Sequence, residues 1–201
     1  MDAPNSNLHG SAPDTHPVAL LLVDVINPLA FPEADQLLRY ALPAAERLAA
    51  LKQRARAAGV PVVYANDNFG KWRSDLSAVV ARCEEPGCKG RPLVELLRPT
   101  PDDYFVLKPK HSAFFSTTLD TLLRYLGTRT LVVGGYAGNM CVLFTANDAY
   151  MRDLRVVAPA DCSASNTAAD NDAALLQMRQ VLKCDTSPSA DVDFAALAAR
   201  K

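Results

Sequence analysis

The sequence predicts one three-layer α/β/α domain, with helices on both faces of a mostly parallel sheet of about six strands. Three observations carry this reading. Short apolar runs alternate with amphipathic stretches long enough for helices, the pattern of βαβ units. The runs are continuously apolar, as strands buried on both faces are. A chain of 201 residues, 49% hydrophobic and 21% charged, suits one domain and its core. No internal repeat or second domain is visible.

The elements follow in order. Val18–Val23 is an apolar run of strand length. Pro43 to Ala58 carries Ala45, Leu48, Ala49, Leu51 and Ala55 at helical spacing, and Gly59 ends that helix. Val60–Ala65 is the second strand and Asp103–Leu107 the third. The interval from Asn66 to Pro101 is polar, is punctuated by Gly70, Pro86, Gly87, Gly90 and Pro92, and has room for one or two short helices. Intervals this long in compact domains are often functional. Thr118–Leu126 is a helix closed by Gly127, Arg129–Val133 the fourth strand, and Met140–Arg152 the next helix. Arg155–Pro159 is the fifth strand, Ala168–Val181 a helix, and Leu182–Cys184 a short final strand. Residues 1–17 are polar and read as a flexible arm on a domain spanning 18–201.

Composition narrows the function classes. With 21 basic and 22 acidic residues, net charge is -1, which gives no field for nucleic acid or an anionic membrane. The longest apolar run, Val18–Val23, is far too short to span a bilayer. The N-terminus lacks a signal-peptide pattern, and the 5 cysteines are odd in number. Both points favour reduced thiols and a cytoplasmic setting.

Ligands of such sheets bind at the carboxyl ends of the strands. Asp24 closes the first strand, Lys108 the third, and Cys141 lies just past the fourth. A cysteine at a strand-to-helix junction sits near unpaired N–H groups and the positive helix end, which favour thiolate and oxyanion. Taken singly, each residue has a plain reading: a turn aspartate, a solvated lysine, a core thiol. Their joint placement at strand ends argues for a site. After the second strand, Asn66, Asn68, Phe69 and Trp72 form a candidate substrate-shaping loop, with Arg73 beside them. His111, Phe114 and Tyr136 are further pocket candidates. Cys83-x4-Cys88 lacks the partners of a zinc site, so its functional reading is a redox-dependent disulfide.

Three blocks carry a family resemblance: Leu21 to Pro28, Val106 to Phe114, and Gly135 to Val142 with Thr145-Ala146 and Asp148-Ala149 downstream. In this order they resemble the isochorismatase-like cysteine hydrolases, which include nicotinamidases and N-carbamoylsarcosine amidase. The resemblance runs from about Val18 to Cys184 and implies the isochorismatase-like hydrolase fold. It implies a catalytic triad of Asp24, Lys108 and Cys141, with hydrolysis of a small amide or carbamoyl C–N bond through a thioester. The N–H groups of Ala137 and Cys141 are the candidate oxyanion hole. A cis peptide is implied between Tyr136 and Ala137, and a homodimer or homotetramer is expected. No cofactor is implied, and the partner is a small-molecule substrate. Two departures stand out. The family's Gln is Ile26, and Asn68 and Phe69 follow Asp67 where nicotinamidases place a metal-binding histidine. A metal site is therefore not expected. The rival readings are isochorismatase-type vinyl ether cleavage, which needs no sulfur nucleophile, and a catalytically idle small-molecule-binding protein.

Overall fold

A computed structural model describes residues 14–70 and 75–200. Its sheet has the order β3-β2-β1-β4-β5, every neighbour parallel, with a sixth strand also on β4. The strands are β1 (Val18–Val23), β2 (Val62–Asp67), β3 (Tyr104–Lys108), β4 (Thr130–Tyr136), β5 (Arg155–Val157) and β6 (Ser163–Ala164). β5 pairs with the start of β4 and β6 with its end, so two short strands share one edge.

Side chains alternate across β1. Leu20 and Leu22 join Tyr64, Val132 and Tyr136 in one core. Against it pack α1 (Ala34–Ala57), α2 (Leu76–Glu84), α3 (Arg91–Leu97) and α7 (Phe194–Ala199). Ala19, Leu21 and Val23 join Val63, Val106, Leu131 and Val133 in the other. That face is covered by α4 (Leu119–Leu126), α5 (Leu143–Tyr150) and α6 (Ala168–Gln180). The three expected layers follow from this double burial.

The boundaries differ where local signals compete. α1 starts at Ala34, not Pro43, and Pro43 lies inside it. Leu37, Ala41, Ala44, Ala45, Leu48, Leu51 and Ala55 form one buried stripe, and its burial outweighs the hydrogen bond that proline withholds. The long interval holds α2 and α3, as its length allowed. Leu182–Cys184 is not a strand; only Asp185 makes an isolated bridge, to Val157. The sixth strand is the two-residue β6. The expected helix from Met140 is a π-helical turn, Gly138–Val142, running into α5. Every described peptide bond is trans, including Tyr136–Ala137, the form a non-proline bond prefers by roughly 3 kcal/mol.

Most of the expected arm, residues 1–13, lies outside the described residues. Its last residues are tied down. His16 N–H donates to Leu126 O at 2.7 Å, and Pro17 O accepts from Arg129 and Thr130.

β4 runs past Val133 because two glycines let it pass close to its neighbours. Gly135 has φ +139°, and a Cβ there would lie 2.0 Å from Val23 O, on the strand that presents Asp24. Gly135→Ala is expected to destabilise the fold by about 2–3 kcal/mol, because the backbone is strained and β1 must move away. Thermal melts read this as a fall of about 4–12 °C.

Candidate active site

The sheet order reverses between β1 and β4, and the crevice at such a switch point is where open α/β sheets bind ligands. Asp24 leaves β1 with φ +54°, a left-handed conformation that aspartate tolerates better than most side chains. Its N–H donates to Ala65 O at 2.9 Å. Its Oδ1 accepts the Asp67 N–H at 2.7 Å. Its Oδ2 pairs with Lys108 Nζ at 2.7 Å. Lys108 ends β3 on the face of Val106 and is fully buried. Its Nζ also lies 3.5 Å from Cys141 Sγ. One ammonium thus bridges a carboxylate and a sulfur supplied by three separate segments.

Burial pushes the Asp24 carboxyl up, and the attraction of Lys108 and bonding from the Cys141 thiol and Lys108 oppose it without cancelling it. Burial works to lower Lys108, but the charges of Asp24 and Cys141 outweigh it and its pKa is raised. Burial, aided by the Asp24 charge, pushes the Cys141 thiol up to about 12, against the pull of Lys108. The helix-end argument for a resting thiolate is therefore corrected. At neutral pH Lys108 is cationic and the thiol beside it is neutral.

The turn that carries Cys141 is held by side chains that the sequence reading did not single out. Ser165 Oγ, buried after β6, accepts the Asn139 N–H at 3.0 Å and donates to Asn171 Oδ1 at 3.2 Å. A Cβ on Gly138 would lie 2.3 Å from that Asn171 oxygen. Ala137 is half-buried, and its carbonyl accepts from Met140 N–H at 3.0 Å and Val142 N–H at 3.3 Å. The block after Lys108 is tied to α5: Thr145 Oγ1 accepts the Ala113 N–H at 3.0 Å, and Ser112 Oγ donates to Asp148.

The pocket candidates separate. His111 is exposed, with Nδ1 3.8 Å from Cys141 Sγ and its ring 5.4 Å from that of Phe144. Phe114 is buried in the same core as Cys141, and Arg152 lies over its ring at 4.6 Å. Asn68 Oδ1 accepts the Gly70 N–H, and its own N–H donates to Lys108 O at 3.2 Å. Phe69 is partly exposed at φ +51°, in a turn closed by the Asp67 carboxylate. Trp72 and Arg73 lie outside the described residues.

Two candidates are displaced from the site. Tyr136 is fully buried in the opposite core, where its hydroxyl donates to Ala41 O at 3.2 Å. Strand alternation sends it there with Val132, so it is a packing residue and not a pocket wall. Asn66 lies in register with Tyr64 on that same face, and its amide donates to Ile26 O at 2.6 Å. Asn66 holds the turn after Asp24 instead of facing substrate. Ile26 is buried in that core too, which explains an apolar residue there. Asp67, used only as a sequence landmark, positions Asp24 through its backbone. All five cysteines are free thiols, with Cys88 half-buried beside Cys83. Among the described residues no three His, Cys, Asp or Glu side chains are grouped to hold a metal, and no helix is long and apolar enough to cross a membrane.

A parallel six-stranded sheet with this acid–ammonium–thiol cluster at its switch point defines an isochorismatase-like α/β protein. The Isochorismatase domain model matches residues 18–186, and the chain belongs to that family. It is 42% identical over 164 residues to the isochorismatase family protein YaaI of Bacillus subtilis, covering 82% of this chain and 90% of that one. It is 33% identical over 141 residues to the ureidoacrylate amidohydrolase RutB of Methylorubrum extorquens, covering 60% of this chain and 57% of that protein. The crystal structure of N-carbamoylsarcosine amidase from Thermoplasma acidophilum superposes with TM-score 0.65 at 25% identity, covering 88% of this chain and 98% of that one.

Proposed function

We propose that the protein hydrolyses the C–N bond of a small amide or carbamoyl compound through a Cys141 thioester. The observation that carries this is the contact of one buried ammonium with both the Asp24 carboxylate and the Cys141 sulfur. As Sγ attacks the substrate carbonyl, the thiol proton passes to Asp24 and Lys108 balances the forming thiolate. The Ala137 and Cys141 N–H groups receive the oxyanion. Asp24 returns the proton to the leaving nitrogen, the C–N bond breaks, and water attacks the thioester to release the acid and regenerate the thiol. His111, Phe114, Asn68 and Phe69 shape the substrate's surroundings. The names of RutB and of the N-carbamoylsarcosine amidase support a ureido or carbamoyl group as the bond cleaved. The chemistry needs no metal, and the protein works in the cytoplasm as a homodimer or homotetramer.

The test is ammonia release from a panel holding ureidoacrylate, N-carbamoylsarcosine and nicotinamide, before and after dialysis against EDTA. Release from at least one ureido or amide compound, unchanged by EDTA, is expected. Cleavage of isochorismate with no ammonia from any amide would overturn the reading.

The pH profile follows from the site's charges. Asp24 must be ionised to accept a proton, and its pKa is raised above 3.8. Activity is therefore lost, as pH falls, earlier than an ordinary aspartate would dictate. The thiol at about 12 does not titrate near its usual 9.0. kcat/KM is therefore expected to show no rise through the ordinary thiol range. A rise following a group near pH 8.5 would instead indicate a free thiolate as the reacting species.

A further inference from the structure

We propose a second binding site, for a phosphate chain, at the amino end of the sheet, opposite the Cys141 crevice. A cavity of about 430 Å³ opens there beside the starts of β4 and β5. Its lining includes Arg124, Arg129, Arg152, Arg155 and Arg200, against the acids Asp120 and Asp153. Five of the chain's 21 basic residues thus meet at one concavity in a protein of net charge -1.

Two of these arginines have local roles. Arg124 lies in the last turn of α4 and pairs with Asp120. Arg152 follows α5, pairs with Asp148 at 3.0 Å and reaches Asp120 at 3.5 Å. Cations belong at helix carboxyl ends. Arg129, Arg155 and Arg200 are not explained that way. All three are exposed, and Arg129 and Arg155 have no acid within ion-pair distance among the described residues, whereas the charge of Arg200 also acts on Asp185. Arg129 and Arg155 meet at the starts of β4 and β5, where Arg155 N–H donates to Arg129 O at 2.9 Å, and both line the cavity. Guanidinium groups sharing one cavity repel one another unless an anion lies between them, and their planar forks suit phosphate oxygens. The volume suits a ligand of several heavy groups instead of one ion. Among the described residues no aromatic ring lines the cavity, and its apolar walls are Leu123 and Leu154. Recognition therefore reads the phosphate chain, with nothing to stack on a nucleobase.

Isothermal titration with inorganic tripolyphosphate at low salt tests this without substrate, so the result is independent of the amidase reading. Saturable binding near one equivalent is expected, weakening steeply with added salt. ATP is expected to bind no more tightly than tripolyphosphate. Arg129→Gln/Arg155→Gln should weaken binding at least tenfold. Arg39→Gln/Arg82→Gln, which removes the same charge elsewhere, should leave it nearly unchanged. Arg200→Gln, just past α7, gives a second reading if the double variant does not fold, with a several-fold loss expected. Absence of saturable binding, equal losses in both double variants, no loss in Arg200→Gln, or ATP binding tenfold more tightly would overturn the proposal.

Discussion

Cys141→Ala is expected to lower kcat for amide hydrolysis by about 10,000-fold or more while the protein stays folded. The sulfur is the nucleophile of the proposed thioester route, and no other group at the site can form that bond. Its neighbours are the Lys108 ammonium at 3.5 Å and the His111 ring at 3.8 Å, and both remain satisfied without it. Lys108 keeps Asp24 as its partner, so no buried charge is stranded. The expected signature is a near-normal melting curve with no ammonia released. Wild-type protein quenched during turnover should carry an acyl mass on the peptide containing Cys141. Retained turnover in Cys141→Ala would rule out covalent catalysis and leave Asp24 and Lys108 as an acid–base pair acting on water. Cys141→Ser is the weaker test, because a hydroxyl can retain slow acyl transfer.

The same thiol shows how far the sequence could be read. The apolar strands were legible because a parallel sheet buries both faces, and Asp24, Lys108 and Cys141 were legible because strand ends share one rim. The protonation state of the thiol was not. It depends on how deeply three distant segments bury one another, and Cys141 is only 9% exposed. Strand parity would have sorted two of the pocket candidates had β4 been extended past Val133 and β2 past Ala65. Tyr136 and Asn66 fall on the even positions with Val132 and Tyr64, facing α1 and not the crevice. β6 was invisible because a two-residue strand has no period, whereas Leu182–Cys184 mimicked one through apolarity alone. Ser165 and Asn171 brace the turn that carries Cys141 by tertiary bonds, which leave no pattern in the chain. The start of α1 was hidden by Pro43, a residue that usually opens helices and here sits within one.

Lys108→Met is expected to damage both stability and activity, and a second substitution separates the two. Lys108 is fully buried and Asp24 is 5% exposed, so removing the ammonium leaves a carboxylate in a dry site. Breaking one partner of a buried pair typically costs about 3–5 kcal/mol. For a domain of this size that is a fall of about 6–20 °C in melting temperature. Asp24 then responds by holding its proton to higher pH, which also removes the base that takes the thiol proton. Turnover should fall by about 1,000-fold or more. The sign on the alkaline side is fixed by the lysine. Its folded pKa is raised above 10.5, so its contribution is fully present below the unfolded value and is lost as pH rises through the folded one. Wild-type stability should therefore decline above about pH 10.5 through this pair, a component that Lys108→Met lacks. Asp24→Asn/Lys108→Met replaces both charges. It should recover most of the lost melting temperature, because the stranded carboxylate is gone, while turnover stays absent. Recovery of activity together with stability would mean that the pair only holds the strands together and takes no part in the chemistry. Failure to recover stability would mean that Lys108 is needed for packing irrespective of its charge.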